Sequence, residues 1–256
     1  MQVLADLPSP DLAPYEPEPI RFAVATWPLR AAEELRSAMI FRALARASDV
    51  AGLPAPWPSR FRDAVRDELR HTRLCATAGA RLGAAAPVYD PRPVRARLAA
   101  LPEPLFRAVA LLVVEVAMGE TISTSLFRAG RRGAIEPLSR AVLTAIVSDE
   151  VRHRELGWSA AAAVVPTLSA SQAAALYSEV SAAFAAFEQQ NAAPAFRWLE
   201  RGDSFDPAWA ALGVLPPVAR VEAFYSAVED LVVPKLTKLG IDGARAWEER
   251  YRAQHA

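Results

Sequence analysis

The sequence predicts an all-α protein, a four-helix bundle around a two-metal site with additional C-terminal helices, and three observations carry that expectation. The 256 residues are 52% hydrophobic but only 8% aromatic, with 11 glycines, a balance that suits long Ala- and Leu-rich helices better than sheets with Gly-rich turns. Proline- and glycine-containing segments divide the chain into long apolar-periodic stretches. On two of those stretches the same pattern, D-E-x-R-H, appears: Asp67-Glu68-Leu69-Arg70-His71 and Asp149-Glu150-Val151-Arg152-His153.

Taken in order, residues 1–25 hold five prolines and little periodicity, and read as an extended Pro-rich arm. Residues 26–166 read as the bundle. A first helix is expected over about 27–48, with Pro28 in its first turn and the segment AGLPAPWP closing it. A second starts near Ser59, a suitable N-cap, and runs to about residue 86, where Pro87 stops it. The connector DPRPVRARLAALPEP has room for one short helix and is long enough to cross the bundle. A third helix spans about 104–129 and halts at GRRG; a fourth spans about 137–165 and halts at Pro166. Two helical hairpins joined by a crossover is the connectivity of ferritin-like bundles. Residues 167–256 read as an appended helical layer of the same domain, with helices over about 170–190, 217–239 and 243–253 around a broken region, APAFRWLERGDSFDPAW.

Composition removes several function classes. Lys plus Arg equals Asp plus Glu at 29 each, so no overall field draws in nucleic acid or an anionic membrane. The single cysteine, Cys75, excludes an internal disulfide framework and points to a reducing compartment, the cytoplasm. The opening MQVLADLPSPDLAPYEPEPI lacks the basic and apolar regions of a signal peptide, and no stretch reaches the ~20 apolar residues of a membrane span.

The paired motifs carry the chemistry. Residues at i and i+3 share a helical face, so Glu68 with His71 and Glu150 with His153 each direct a carboxylate and an imidazole at one point. A two-metal site needs one further Glu from each remaining helix. On the first helix Glu34 shares its face with Trp27, Ala31, Leu35, Ala38 and Phe41, whereas Glu33 shares its face with Arg30, Arg36 and Ser37, so Glu34 is the inward acid. On the third, Glu115 lies in the apolar run LLVVEVAMGE, where an unpaired carboxylate is costly unless it meets a cation. Glu34 to Glu68 is 34 residues and Glu115 to Glu150 is 35, as a duplicated hairpin would give. Glu120 is the second choice, as a ligand or as an acid beside the ligands. Asp67 and Asp149 are placed to hold the outer N–H of the histidine in the opposite motif, with Arg70 and Arg152 offsetting the acidic charge. Carboxylate-rich ligation with two nitrogens suits two Fe ions, with Mn/Fe as an alternative pair, better than structural zinc.

In these motifs the chain resembles the ferritin-like di-iron carboxylate superfamily, in particular its oxygen-activating branch. The D-E-x-R-H form is similar to that of the bacterial multicomponent monooxygenase hydroxylases, and DELRHTRLC, residues 67–75, is especially similar to the methane monooxygenase hydroxylase, with a Cys four residues after the ligand His. The resemblance implies Glu34, Glu68, His71, Glu115, Glu150 and His153 as metal ligands and O2 as co-substrate. It implies a small organic substrate to be hydroxylated, desaturated or N-oxygenated beside Cys75, Leu112, Met118, Gly119 and Gly157. The chain departs from these relatives in length and at three positions. It is far shorter, and Gly119 stands where those hydroxylases carry a threonine four residues after the helix-three Glu, a spacing that Thr124 keeps only relative to Glu120. Cys75 replaces the radical tyrosine of ribonucleotide reductase small subunits. The extra helix-four histidine of the arylamine N-oxygenases falls at Ile146. No flavin, nicotinamide or iron–sulfur motif is present, so electrons are expected from an external reductase or ferredoxin. A homodimer is compatible with the sequence. The alternative is a ferroxidase or iron-handling protein without an organic substrate.

Overall fold

In a computed structural model, which describes residues 6–202 and 206–251, every regular element is helical. Four long helices make the bundle: α1 (Pro17–Val50), α2 (Trp57–Arg81), α4 (Pro104–Gly133) and α5 (Pro137–Val164). A short helix α3 (Arg92–Ala99) sits on the crossover between the two hairpins. The outer layer comprises α6 (Ala170–Asn191), α7 (Ala193–Glu200), α8 (Ala208–Ala211), α9 (Pro217–Lys238) and α10 (Gly243–Glu248). Among the described residues no helix is long and apolar enough to cross a membrane.

Several helix ends differ from the expectation, each for a local reason. α1 begins at Pro17, ten residues before the expected start, because prolines in a first turn sacrifice only N–H groups that have no helical partner. The inward stripe Pro19, Ala23, Trp27, Ala31 then continues without interruption, and Pro28 lies inside the helix. Residues 17–25 are therefore helical, and the extended stretch is confined to the residues before them. That stretch is fastened at Leu7 and Pro8, whose carbonyls accept from Arg81 Nη1 at 2.6 and 2.9 Å.

α2 starts at Trp57 rather than at Ser59, whose hydroxyl donates back to the Pro56 carbonyl at 2.8 Å. Its other end comes before Pro87, at a Schellman closure: Gly83 takes a left-handed φ of 92°, and the Ala84 N–H reaches the Gly79 carbonyl at 2.8 Å. α4 passes through GRRG because Gly133 is used for close packing, where an added Cβ would lie 2.9 Å from that of Ala210 on α8.

Apolar packing falls into two adjoining clusters. One gathers Phe41, Phe61, Leu111, Met118, Phe184 and Phe224; the other gathers Trp27, Leu74, Cys75, Leu138, Ile146 and Leu212. Acids and imidazoles stand between them on α1, α2 and α5. Along α1, Glu34 separates Ala31 from Phe41; along α2, Glu68 and His71 separate Ala64 from Leu74; along α5, Glu150 and His153 separate Ile146 from Trp158. A buried polar layer thus crosses the middle of the bundle.

A further feature positions this layer. α4 is π-helical over Leu111–Met118 and α-helical on either side. A π-turn takes in an extra residue and rotates everything after it relative to a regular helix.

Candidate metal centre

Six side chains from the four bundle helices converge in the polar layer: Glu34, Glu68, His71, Glu120, Glu150 and His153, all between 0% and 6% exposed. They form two overlapping groups, Glu34–Glu68–His71–Glu150 and Glu68–Glu120–Glu150–His153, within each of which one oxygen or nitrogen per residue lies within 4.8 Å of all the others. Glu68 and Glu150 belong to both groups. His71 Nδ1 is 3.0 Å from Glu150 Oε1, 3.4 Å from Glu34 Oε2 and 3.6 Å from Glu68 Oε2. His153 Nδ1 is 2.7 Å from Glu68 Oε1 and 3.9 Å from Glu150 Oε1.

These atoms approach without completing hydrogen bonds. Both Glu68 oxygens, Glu150 Oε2, His71 Nδ1 and His153 Nδ1 are buried and have no hydrogen-bond partner. Such a concentration of orphaned donor atoms is costly unless a common cation meets them. Burial pushes the Glu34 and Glu120 carboxyls well above the ordinary range. Burial acts on Glu68 in the same sense, but the adjacent His153 and His71 outweigh it and hold that carboxyl at about 2. Burial also works to deprotonate His153, yet Asp67 and Glu68 raise its imidazole to about 10; His71 is raised further by Asp149, Glu150, Glu34 and Glu68. Without metal, protons on the imidazoles offset the acids, and divalent cations can take that part. The donor set of carboxylates and imidazoles fits a pair of hard to borderline ions.

Around the inner layer the motif residues cross between helices. His71 Nε2 faces Asp149 Oδ2 at 3.1 Å, and His153 Nε2 faces Asp67 Oδ2 at 3.4 Å. Arg70 pairs with Asp149 and lies 3.6 Å from Asp67; Arg152 reaches Asp149 Oδ1 at 2.5 Å and Asp67 Oδ2 at 3.4 Å.

Glu115, expected as the helix-three ligand, stands outside the centre, and this corrects the expectation. Its carboxylate accepts from Arg36 Nη2 at 2.7 Å and lies 3.4 Å from Arg97 Nε. The π-helical stretch containing it turns Glu115 to these arginines and brings Glu120 inward. The near-equal spacings of 34 and 35 residues therefore do not mark the clustered acids, since Glu120 to Glu150 is 30 residues. With Glu120 in the cluster, Thr124 is the threonine four residues on, and its buried hydroxyl donates to the Glu120 carbonyl at 2.6 Å. Ser37, assigned with Glu33 to a polar face, donates to Glu120 Oε1 at 3.0 Å. Phe41, one further turn along the stripe from Ser37, has its ring 5.4 Å from the His153 ring. Phe41 already stands with Glu34 on the inward face, and Ser37, three residues from Glu34, could have been found by the same helical spacing.

Cys75, Leu112 and Met118 are fully buried, and burial pushes the Cys75 thiol well up, beside Glu34 and Arg30. A Cβ at Gly119 would meet only the Val114 carbonyl at 3.6 Å and Phe187 at 3.9 Å. At Gly157 it would lie 2.9 Å from both the Cα and the N of Ala117, so this glycine lets α5 approach the π-helical part of α4 instead of leaving open space. Ile146 is fully buried in the second apolar cluster.

Residues 60–231, more than half of the chain, match the family model described as P-aminobenzoate N-oxygenase AurF. The matched span contains every residue of the cluster except Glu34. No curated protein matches the chain.

Proposed function

The chain belongs to the P-aminobenzoate N-oxygenase AurF family, a ferritin-like di-iron oxygenase family, and from that premise we propose that it oxidises the amino group of a small aromatic amine at a pair of irons held by Glu34, Glu68, His71, Glu120, Glu150 and His153. Glu34 and His71 would hold one ion, Glu120 and His153 the other, and Glu68 with Glu150, common to both groups, would hold the two together. When bound, the irons supply the electrons and the Lewis acidity with which O2 is reduced and one oxygen atom passes to substrate. The overall balance is amine plus O2, two electrons and two protons giving hydroxylamine and water.

The chain's own residues prepare the centre. Asp149 and Asp67 accept the Nε2 protons of His71 and His153, which leaves each Nδ1 lone pair directed inward. Arg70 and Arg152 hold those aspartates ionised. The apolar clusters on either side, with Phe41, Leu112, Met118 and Cys75, exclude bulk water from the layer. Ile146, at the position of the arylamine N-oxygenases' additional histidine, limits the nitrogen donors to two. An external reductase or ferredoxin would supply the electrons, and the lone buried Cys75 suits the cytoplasm.

The observation that carries this reading is the set of orphaned carboxylate and imidazole atoms converging from all four helices within a matched oxygenase family. Anaerobic Fe(II) titration of wild type, Glu120→Ala and Glu115→Ala tests it, with p-aminobenzoate and chromatographic detection of N-oxygenated product. Wild type and Glu115→Ala are expected to take up two irons per chain, and Glu120→Ala fewer. Equal iron uptake in Glu120→Ala and wild type would remove the assignment.

A further inference from the structure

The oxidation needs two electrons per turnover, and a groove on the bundle surface is suited to receive them. The chain is neutral overall, yet its charged residues between 40 and 66 are Arg42, Arg46, Asp49, Arg60, Arg62, Asp63 and Arg66, five cations against two anions, a local charge of +3. All seven are exposed. Asp49 is taken up by Arg62 at 2.7 Å and Asp63 by Arg66, which leaves Arg42, Arg46 and Arg60 with no carboxylate within ion-pair distance among the described residues. Between α1 and α2 runs an open groove of about 400 Å³, lined by Arg42, Ala45, Arg46, Asp49, Arg62 and Val65.

The floor of that groove is close to the polar layer. Val65 stands three residues, about one helical turn, before Glu68 on α2. Ala45 stands one turn beyond Phe41 on α1, and the Phe41 ring is 5.4 Å from the His153 ring. One helical turn along α2 therefore separates the groove from the candidate ligand Glu68, and one turn along α1 separates it from the ring that faces His153. Another basic segment, RAGRRG at the end of α4, is less well placed: Arg131 is eleven residues past Glu120, about 16 Å along the helix axis.

We propose that the Arg42–Arg46–Arg62 groove is the docking surface for a small acidic one-electron carrier protein of the ferredoxin or flavodoxin class, which delivers two electrons in successive encounters through the Phe41–His153 side of the centre. Charge complementarity selects the partner, since a field of this sign and size accelerates encounter with an acidic protein and repels a basic one. The inference rests on the oxygenase reading given above. In each encounter the carrier's reduced cluster or flavin loses one electron and the metal pair gains one; the two protons consumed come from solvent.

The test compares wild type with Arg42→Glu/Arg46→Glu and with Arg42→Lys/Arg46→Lys, all iron-loaded and checked for helical content by circular dichroism. Binding of a reduced acidic [2Fe–2S] ferredoxin is measured by calorimetry, and reduction of the oxidised iron centre by stopped-flow absorbance. An acidic flavodoxin serves as second carrier and photoreduced deazariboflavin, small and uncharged, as control. The double Glu variant is expected to lose ferredoxin binding and to be reduced by the carriers about ten- to a hundredfold more slowly, with the remaining rate no longer falling as salt is raised. The Lys variant keeps both, and deazariboflavin reduces all three proteins equally. Unchanged binding and carrier rates in the Glu variant, or a wild type that neither carrier binds or reduces while deazariboflavin does, would overturn the proposal. Failure of deazariboflavin to reduce the wild type would instead count against the iron centre itself.

Discussion

Replacing Gly157 by alanine tests how tightly α5 is set against the π-helical part of α4. The new Cβ would lie 2.9 Å from the Cα and N of Ala117 and 3.0 Å from Val116 Cγ1. Ordinary carbon contacts are about 3.5–4.0 Å, so the helices must separate by somewhat under 1 Å. Both of the closest atoms are backbone, and no rotamer change relieves them. Overpacking of this kind costs about 3 kcal/mol at the upper end of its usual range. Alanine gains about 1 kcal/mol of helix propensity over glycine, leaving a net loss of about 2 kcal/mol. For a chain of this size that corresponds to a fall in Tm of about 4–8 °C. Gly119→Ala is the matched control: its Cβ would meet atoms no nearer than 3.6 Å, and the same propensity gain should leave Tm unchanged or slightly raised. Differential scanning calorimetry on the metal-loaded proteins reads both. A Gly157→Ala protein as stable as wild type would refute the close-packing argument.

Other expectations follow from the same geometry. Asp149→Asn removes the negative charge that faces His71 Nε2 and pairs with Arg70 and Arg152, so metal affinity should fall about ten- to a hundredfold in a competition assay with a chromophoric chelator, while Asp63→Asn, on the exposed face, should change nothing. Glu115→Ala should keep the metals yet lose about 1–3 kcal/mol in urea unfolding, since Arg36 and Arg97 lose a largely buried partner. The outer layer should respond to acid through Glu188. Burial raises that carboxyl, but Arg250, Tyr225 and Tyr251 outweigh burial and hold it below the usual range. A depressed carboxylate contributes stability that is present above its unfolded pKa of about 4.3 and is lost as pH falls through the folded value. Hydrogen exchange in α6, α9 and α10 should therefore rise below about pH 4 in wild type and be raised and flatter with pH in Glu188→Gln; equal acid sensitivity in the variant would remove Glu188 as the cause.

The all-helical fold was legible because its signals are local. Prolines and glycines divide the chain, and four long apolar-periodic stretches fall between them, within about five residues of the ends of α2, α4 and α5 and of the C-terminal end of α1. The ends were read less well where one local rule displaced another. Pro28 looks like a helix start until the inward stripe Pro19, Ala23, Trp27 is seen to run through it. Pro87 looks like a stop, but the left-handed Gly83 closes α2 before the chain arrives there. GRRG reads as a turn because glycine is a turn residue; the packing of Gly133 on Ala210 is a long-range fact that no short window contains.

The polar layer shows the same boundary at finer scale. Glu34, Glu68, His71, Glu150 and His153 lie on regular helices, and the 3.6-residue period alone brings them together. Glu115 and Glu120 lie on a helix whose period changes within one turn of each. Five residues apart, they cannot share a face of an α-helix, and both sit in apolar surroundings, so the choice between them depends on hydrogen bonding over Leu111–Met118 that propensity does not encode. The arginines could have decided it. A buried acid needs a cation, and Arg36 lies on α1 just past Glu34, where a side chain turned toward α4 meets Glu115 at 2.7 Å. With that acid neutralised, the unpaired Glu120 is the one left to face the centre, and the threonine spacing that fails at Gly119 holds at Thr124. Two weak signals in the sequence thus agree on Glu120 against one conspicuous spacing that favoured Glu115.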